Sequence, residues 1–340
     1  MTQPTLSQGL VVGDLLPLSR EELAAQSRRI AETAVSLPEY SWDAEGEMPV
    51  LKWDRAFDRW LDRRITQKAG IESQGYCLLP WVIFENLPAR RKKSDILCWN
   101  QGSVPSCSFT AAAHATQFAT LKEIALGAPL EYHAINPIVA FWLSKGKSLW
   151  GGQSLDVLAR WLNEEGQYPE TAVGPDNLRV PRRWEEGTPW AKRFQLGVCY
   201  IEETQIDEIV EKIFRACAAN CDVVFGSMQI YTSARRDRNG IKTPAGSTSG
   251  GHAQMFGGFR SVGTTDYVWL QNSHGDIYGT DEEGSPGSGL WCDEESVREV
   301  VRTMPQFGCP FIVFPEGPVA DAESRFTIDF PTPFPKNWVS

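Results

Sequence analysis

The spacing of apolar residues changes once along this chain, near Asp222, and that change constrains the fold more than any other feature. Before it the spacing is helical. Leu155, Leu158, Trp161 and Leu162 share one face of Ser154 to Glu165, and Gly166 follows as a C-cap. Cys107 to about Leu126, ended by Gly127, Asn136 to Leu143, and Glu202 to Asn220 also read as helices. Gly197 to Ile201 is an early strand. From Asp222 the pattern becomes β: Val223-Val224-Phe225-Gly226, Gln254 to Phe259, Tyr267 to Gln271 and Phe311 to Phe314. Residues 169 to 195 read as a loop, and so does the Gly/Thr/Ser-rich stretch Asn239 to Gly251. Helices first and strands later predict an α+β chain of two lobes.

The N-terminal quarter is less regular. Ser19 and Glu22 form a capping-box pair at the head of a helix running to about Ala34. Trp53, Phe57, Trp60, Leu61 and Ile65 mark a second helix, Trp53 to Thr66. Tyr76 to Phe84 is apolar and β-prone, and Pro80 limits it to an edge strand or an extended arm. The basic run Pro88 to Lys93 suggests a boundary. The expected organisation is an extension over 1–90, a main domain over 91–316 and an extended, proline-containing tail over 317–340.

Several function classes are disfavoured by composition. The net charge of −10 argues against general nucleic-acid or membrane-surface binding. No apolar run approaches the ~18 residues of a membrane span. Met1-Thr2-Gln3-Pro4 does not read as a secretory signal, so reduced thiols in a cytoplasmic or particle-bound protein are expected. The eight cysteines are scattered without a Cys-x-x-Cys pair. Cys217 and Cys221 fall on one helix face, but no nearby His or second Cys pair completes a zinc site. No metal or cofactor is expected.

The chemistry centres on Cys107. It follows Asn100-Gln101-Gly102-Ser103-Val104-Pro105-Ser106 and precedes Ser108-Phe109-Thr110-Ala111-Ala112-Ala113, at the first turn of a helix. Unpaired N–H groups and the helix dipole at that place favour a thiolate. Gln101 is a nearby amide donor. His252 lies in Gly250-Gly251-His252-Ala253, and Asn272 follows a strand in Trp269-Leu270-Gln271-Asn272-Ser273. A thiol, a base, an orienting amide and an oxyanion donor are the parts of a cysteine acyl-transfer site. His114 and His133 read as core or helix-surface residues.

These segments resemble the papain family of cysteine peptidases. The family pattern Gln-Gly-x-Cys-Gly-Ser-Cys-Trp is matched in spacing from Gln101 to Cys107. His252 lies 145 residues past Cys107 and Asn272 lies 165 past it; about 130–150 is expected. Gly151-Gly152-Gln153-Ser154, Gly251-His252-Ala253-Gln254-Met255-Phe256-Gly257-Gly258-Phe259 and Asn272-Ser273-His274-Gly275 resemble three further family segments. The resemblance covers roughly residues 95 to 315. Departures are Val104 in place of a disulfide cysteine, Pro105 for Gly, Ser108 for Trp, and His274 for the Trp that shields the His–Asn hydrogen bond.

The resemblance implies a two-lobe fold, with Cys107 on the helical lobe and His252 and Asn272 on an antiparallel β lobe. It implies Gln101 as oxyanion donor, Gly151 and Gly152 pairing with substrate backbone, Gly251 beside the base, and a polypeptide substrate. It suggests a divergent, disulfide-free member of bacterial or phage type. Residues 1 to about 90 would then be a pro-like cover or an assembly arm. A second reading stays open: a structural or assembly protein, for example of a virion, built on such a domain and joined into an oligomer or particle through its arms.

Overall fold

The computed structural model describes residues 41–42, 49–50, 53–72, 78–85, 100–125, 132–173, 179–181, 184–187, 191, 196–279 and 286–314. The expected helix from Ser19, the basic run at 88–93, the tail from 317, Cys77 and Cys98 lie outside them. In chain order the strands are β1 (Ser41–Trp42), β2 (Pro49–Val50), β3 (Ile135–Asn136), β4 (Tyr168–Pro169), β5 (Gly197–Tyr200), β6 (Asp222–Arg236), β7 (Lys242–Val262), β8 (Thr265–Gln271), β9 (Gly289–Cys292) and β10 (Phe311–Phe314). The α-helices are α1 (Arg55–Glu72), α2 (Pro80–Glu85), α3 (Cys107–Ala125), α4 (Pro137–Ser144), α5 (Leu155–Glu164), α6 (Glu170–Val173), α7 (Ile206–Ala218) and α8 (Glu294–Val301). The architecture is α+β, with α3 to α6 leading into an antiparallel sheet.

That sheet has six strands in the order β5-β10-β6-β7-β8-β9. Its side chains alternate between two cores, as strand geometry requires. Val198, Val224, Met255, Tyr267, Trp269, Trp291, Phe311 and Val313 face the core that contains α3, α4 and α5. Cys199, Val223, Phe225, Phe256, Val268, Leu270, Leu290, Ile312 and Phe314 face the core formed with α1, α7 and α8.

Helix α3 explains why the first core is firm. Phe109, Ala112, Ala113, Ala115, Phe118 and Leu121 are all fully buried, so the helix is enclosed rather than surface-lying. Helix α4 starts where Asn136 Oδ1 accepts from the Ile138 N–H at 3.0 Å, with Pro137 pre-set for the first turn. Helix α7 ends in a Schellman turn. The Cys221 N–H reaches Ala216 O and the Asn220 N–H reaches Cys217 O, with Asn220 at φ 65°. The chain is thereby delivered into β6.

Three sequence expectations need correction. Within the expected extended segment Tyr76 to Phe84, residues 80–84 are helical: Pro80 begins α2, and Leu79 O accepts from Val82 and Ile83. Proline lacks only an N–H that a first helical turn leaves unused, so it favours a helix start as readily as a strand edge. Asn239 to Gly251 is largely not a loop. From Lys242 it belongs to β7 and pairs with β6 as far as Arg236. Its backbone ladder, rather than its side chains, makes it a strand. Residues 169 to 195 hold β4, α6 and a 3₁₀ turn at Trp184–Gly187.

Helices α1 and α2 are part of the two cores. Phe57 and Trp60 of α1 contact Phe314 with ring centroids 5.9 Å and 5.5 Å away. Arg64 of α1 pairs with Glu123 of α3 and donates to Ala219 O at 3.0 Å. Trp81 of α2 lies 4.5 Å from Trp269 and 5.9 Å from Trp291, centroid to centroid.

Candidate active site

The thiol of Cys107 sits at the first residue of α3, where Thr110 N–H closes on Ser106 O at 2.9 Å. The backbone N–H groups of Ala253, Ser108 and Cys107 act on it in the direction that favours the thiolate. Ala253 follows His252 on β7, so the helix start meets the strand at the histidine.

A bulge delivers that histidine. Strand β7 pairs His252 with Ser227 and Ser249 with Gln229, so β7 carries one residue more than β6 between these pairs. The extra residue falls within Gly250-Gly251, and such bulges re-aim neighbouring side chains. A side chain at Gly251 would come within 3.1 Å of the Phe307 ring.

His252 is buried, and its Nε2 is 2.9 Å from Asn272 Oδ1. Asn272 ends β8. Its Oδ1 also accepts from the Ser273 N–H at 2.7 Å, and its Nδ2 donates to Tyr278 Oη at 2.9 Å. Tyr278 Oη in turn donates to Tyr231 O at 2.7 Å. With the Asn272 oxygen accepting, Nε2 carries the imidazole proton and Nδ1 is the basic nitrogen.

Gln101 joins the same network from the other side. Its N–H donates to Ser273 O at 2.9 Å, and its Oε1 accepts from the Ser273 hydroxyl. Its Nε2 donates to Val104 O at 3.1 Å, which commits one of its two amide hydrogens. Asn100 and His274 form a β-bridge beside it. The half-buried His274 ring stacks on His252, with centroids 4.5 Å apart and planes 18° apart. It is therefore both an aromatic cover and a second imidazole.

The electrostatics correct one expectation. Cys107 is not acidified. Burial raises its pKa above the ordinary thiol value, outweighing the three backbone N–H groups that favour the thiolate. Burial also lowers His252 to about 4, with the Asn272 hydrogen bond acting upward and His274 acting further downward. Taken group by group, the resting pair is neutral thiol and neutral imidazole.

Hydrogen bonds thus join His252, Asn272 and, through Ser273, Gln101, while Cys107 is linked to them through Ala253, the residue after His252. Gly151 and Gly152 are exposed, and their contacts are to the end of α4, where Lys145 Nζ donates to Gly152 O at 3.0 Å. Gly151 adopts φ 73°, a left-handed conformation that suits glycine. Tyr278 carries no motif and was not visible as a site residue in the sequence. Among the described residues, no group of three His, Cys, Asp or Glu side chains could hold a metal ion, and no helix is long and apolar enough to cross a membrane. Six cysteines there, Cys107, Cys199, Cys217, Cys221, Cys292 and Cys309, are free thiols.

No protein-family model and no curated protein matches the chain. Among solved structures it is similar to xylellain, a cysteine protease from Xylella fastidiosa. The two are 16% identical over 64% of this chain and 82% of that one, with a TM-score of 0.42. It is similar to the Carica candamarcensis cysteine protease CMS1MS2, at 14% identity over 66% and 95% of the two chains and a TM-score of 0.42. The proform of the ragweed pollen cysteine protease Amb a 11 aligns at 11% identity over 86% of this chain and 85% of that one, with a TM-score of 0.43.

Proposed function

We propose that this chain is a cysteine peptidase of the papain-like type, acting through Cys107, His252 and Asn272. One observation carries the reading: His252 Nε2 is held by Asn272 Oδ1 at 2.9 Å, and the next residue on β7, Ala253, has a backbone N–H that favours the Cys107 thiolate. The ordered run of motifs from Gln101 to Asn272 supports it independently.

In this reading His252 Nδ1 takes the Cys107 proton as the sulfur attacks the carbonyl carbon of a peptide bond. The tetrahedral oxyanion receives the Cys107 backbone N–H and the second Nε2 hydrogen of Gln101. His252 then protonates the departing amine. Water, deprotonated by the same imidazole, attacks the thioester and releases the acid. Gly151 and Gly152 admit substrate backbone at close range, with Lys145 giving up its contact to Gly152 O.

The test is Cys107→Ala in the full chain, with denatured casein as substrate and a thiol-reactive peptidyl epoxide as label. The expected result is that wild type cleaves casein and is labelled at Cys107. The variant should lose both while its unfolding free energy stays within about 1 kcal/mol of wild type. Hydrolysis retained by the variant overturns the assignment.

A further inference from the structure

The oxygen of Tyr278 stands at the end of a directed chain of hydrogen bonds. A backbone carbonyl can only accept, so the 2.7 Å contact to Tyr231 O uses the one proton of the phenol. The 2.9 Å contact to the Asn272 side chain must therefore be one in which the phenol accepts, and only the amide nitrogen can donate to it. That places Nδ2 on the tyrosine side and Oδ1 on the histidine side. A carboxamide turned the other way would present a donor to His252 Nε2 and would put the imidazole proton on Nδ1, where it blocks base action.

The tyrosine itself is held in place. Its N–H donates to Gly287 O at 2.8 Å, and the adjacent Gly279 O accepts from Lys242 Nζ at 2.7 Å. Its ring is buried among the side chains on the α7 and α8 face of the sheet. We propose that Tyr278 is a positioning residue, whose hydroxyl, anchored on Tyr231 O, fixes the Asn272 amide and through it the tautomer of His252. The Ser273 N–H on Asn272 Oδ1 acts in the same sense, so loss of the phenol weakens the arrangement without abolishing it.

The inference deepens the peptidase reading and rests on it for its consequence, but its primary readout does not need activity. The chain has four histidines, so ¹⁵N-histidine spectra of the full protein are assignable with the aid of His252→Gln. Tyr278→Phe removes only the hydroxyl. Tyr231→Phe removes another largely buried hydroxyl, one that bonds Ser296 O and Glu299 and leaves Tyr231 O in place. Wild type and Tyr231→Phe are expected to show His252 protonated at Nε2. Tyr278→Phe should populate the Nδ1–H form and slow iodoacetamide alkylation of Cys107 at neutral pH by about 10-fold, as for one lost buried hydrogen bond.

Unchanged His252 signals and alkylation in Tyr278→Phe overturn the proposal. An equal change in Tyr231→Phe also overturns it, since that would be general loosening. A changed tautomer in Tyr278→Phe with no casein cleavage by wild type upholds the positioning role and defeats the peptidase reading instead. If Tyr278→Phe does not fold, 3-fluorotyrosine at 278, a weaker acceptor, should give a smaller shift in the same direction. No shift in that protein overturns the proposal.

Discussion

His252, the base in the proposed mechanism, is kept neutral by its surroundings, and this has a direct consequence in solution. Its pKa is lowered from 6.5 to about 4, chiefly by burial. A histidine lowered on folding adds stability that is complete above about 6.5 and is lost as the pH falls through about 4. In the proposed mechanism the same sign governs catalysis, because only the neutral ring can take the Cys107 proton. The acid limb of kcat/KM for casein-derived peptides is therefore expected near pH 4. A limb near 6.5 would show a solvated imidazole and contradict the buried geometry. Cys107, Gln101, His252 and Asn272 stand out in the sequence as candidates because each sits in a short motif. The raised thiol pKa does not. A helix start predicts a low value, and only the packed surroundings reveal that desolvation dominates. Tyr278 was hidden for a related reason: its role comes from a loop-to-strand contact with no local pattern.

At the scale of elements, strands β8 and β10 were readable because an unbroken run of apolar, β-prone residues marks each. The outer part of the long β6–β7 hairpin was not, because Thr, Ser and Gly from 243 to 251 carry no apolar face. One glycine of that hairpin has a definite structural burden. Gly257 pairs with Asp222, whose carboxylate is buried and bound to Lys122 Nζ at 2.6 Å. A Cβ at 257 would lie 2.0 Å from Asp222 Oδ1 and 2.3 Å from Met255 Cε. Met255 Cε is the end of a flexible side chain, but the Asp222 carboxylate cannot move without disturbing the buried ion pair. Gly257→Ala is expected to cost at least about 2 kcal/mol in urea unfolding, as overpacking of a filled core does. Gly70, on helix α1, has no heavy atom within 4 Å of its would-be Cβ. Gly70→Ala should instead gain about 0.5–1 kcal/mol from helix propensity. Equal effects at the two positions would show that the Asp222 site has room.

At the scale of the whole molecule, the position of residues 53–85 bears on any pro-region or arm. A removable extension should leave the remaining cores closed. Here α1 contributes Phe57, Trp60 and Leu61 to one core, and α2 contributes Trp81, Val82 and Phe84 to the other. Truncating a single large buried residue typically costs about 2–5 kcal/mol, against a total stability of about 5–15 kcal/mol for a domain. Six such residues together exceed what the remainder can lose. A chain beginning at residue 88 is expected to be insoluble, or to lack a cooperative thermal transition in calorimetry. A chain beginning at residue 41 keeps both helices and should melt cooperatively. Casein cleavage by the second chain, compared with the full protein, then reports whether residues 1–40 restrain the site, free of the stability loss. A cooperative melt from the chain beginning at 88, close to that of the full protein, would refute the view that α1 and α2 belong to the cores.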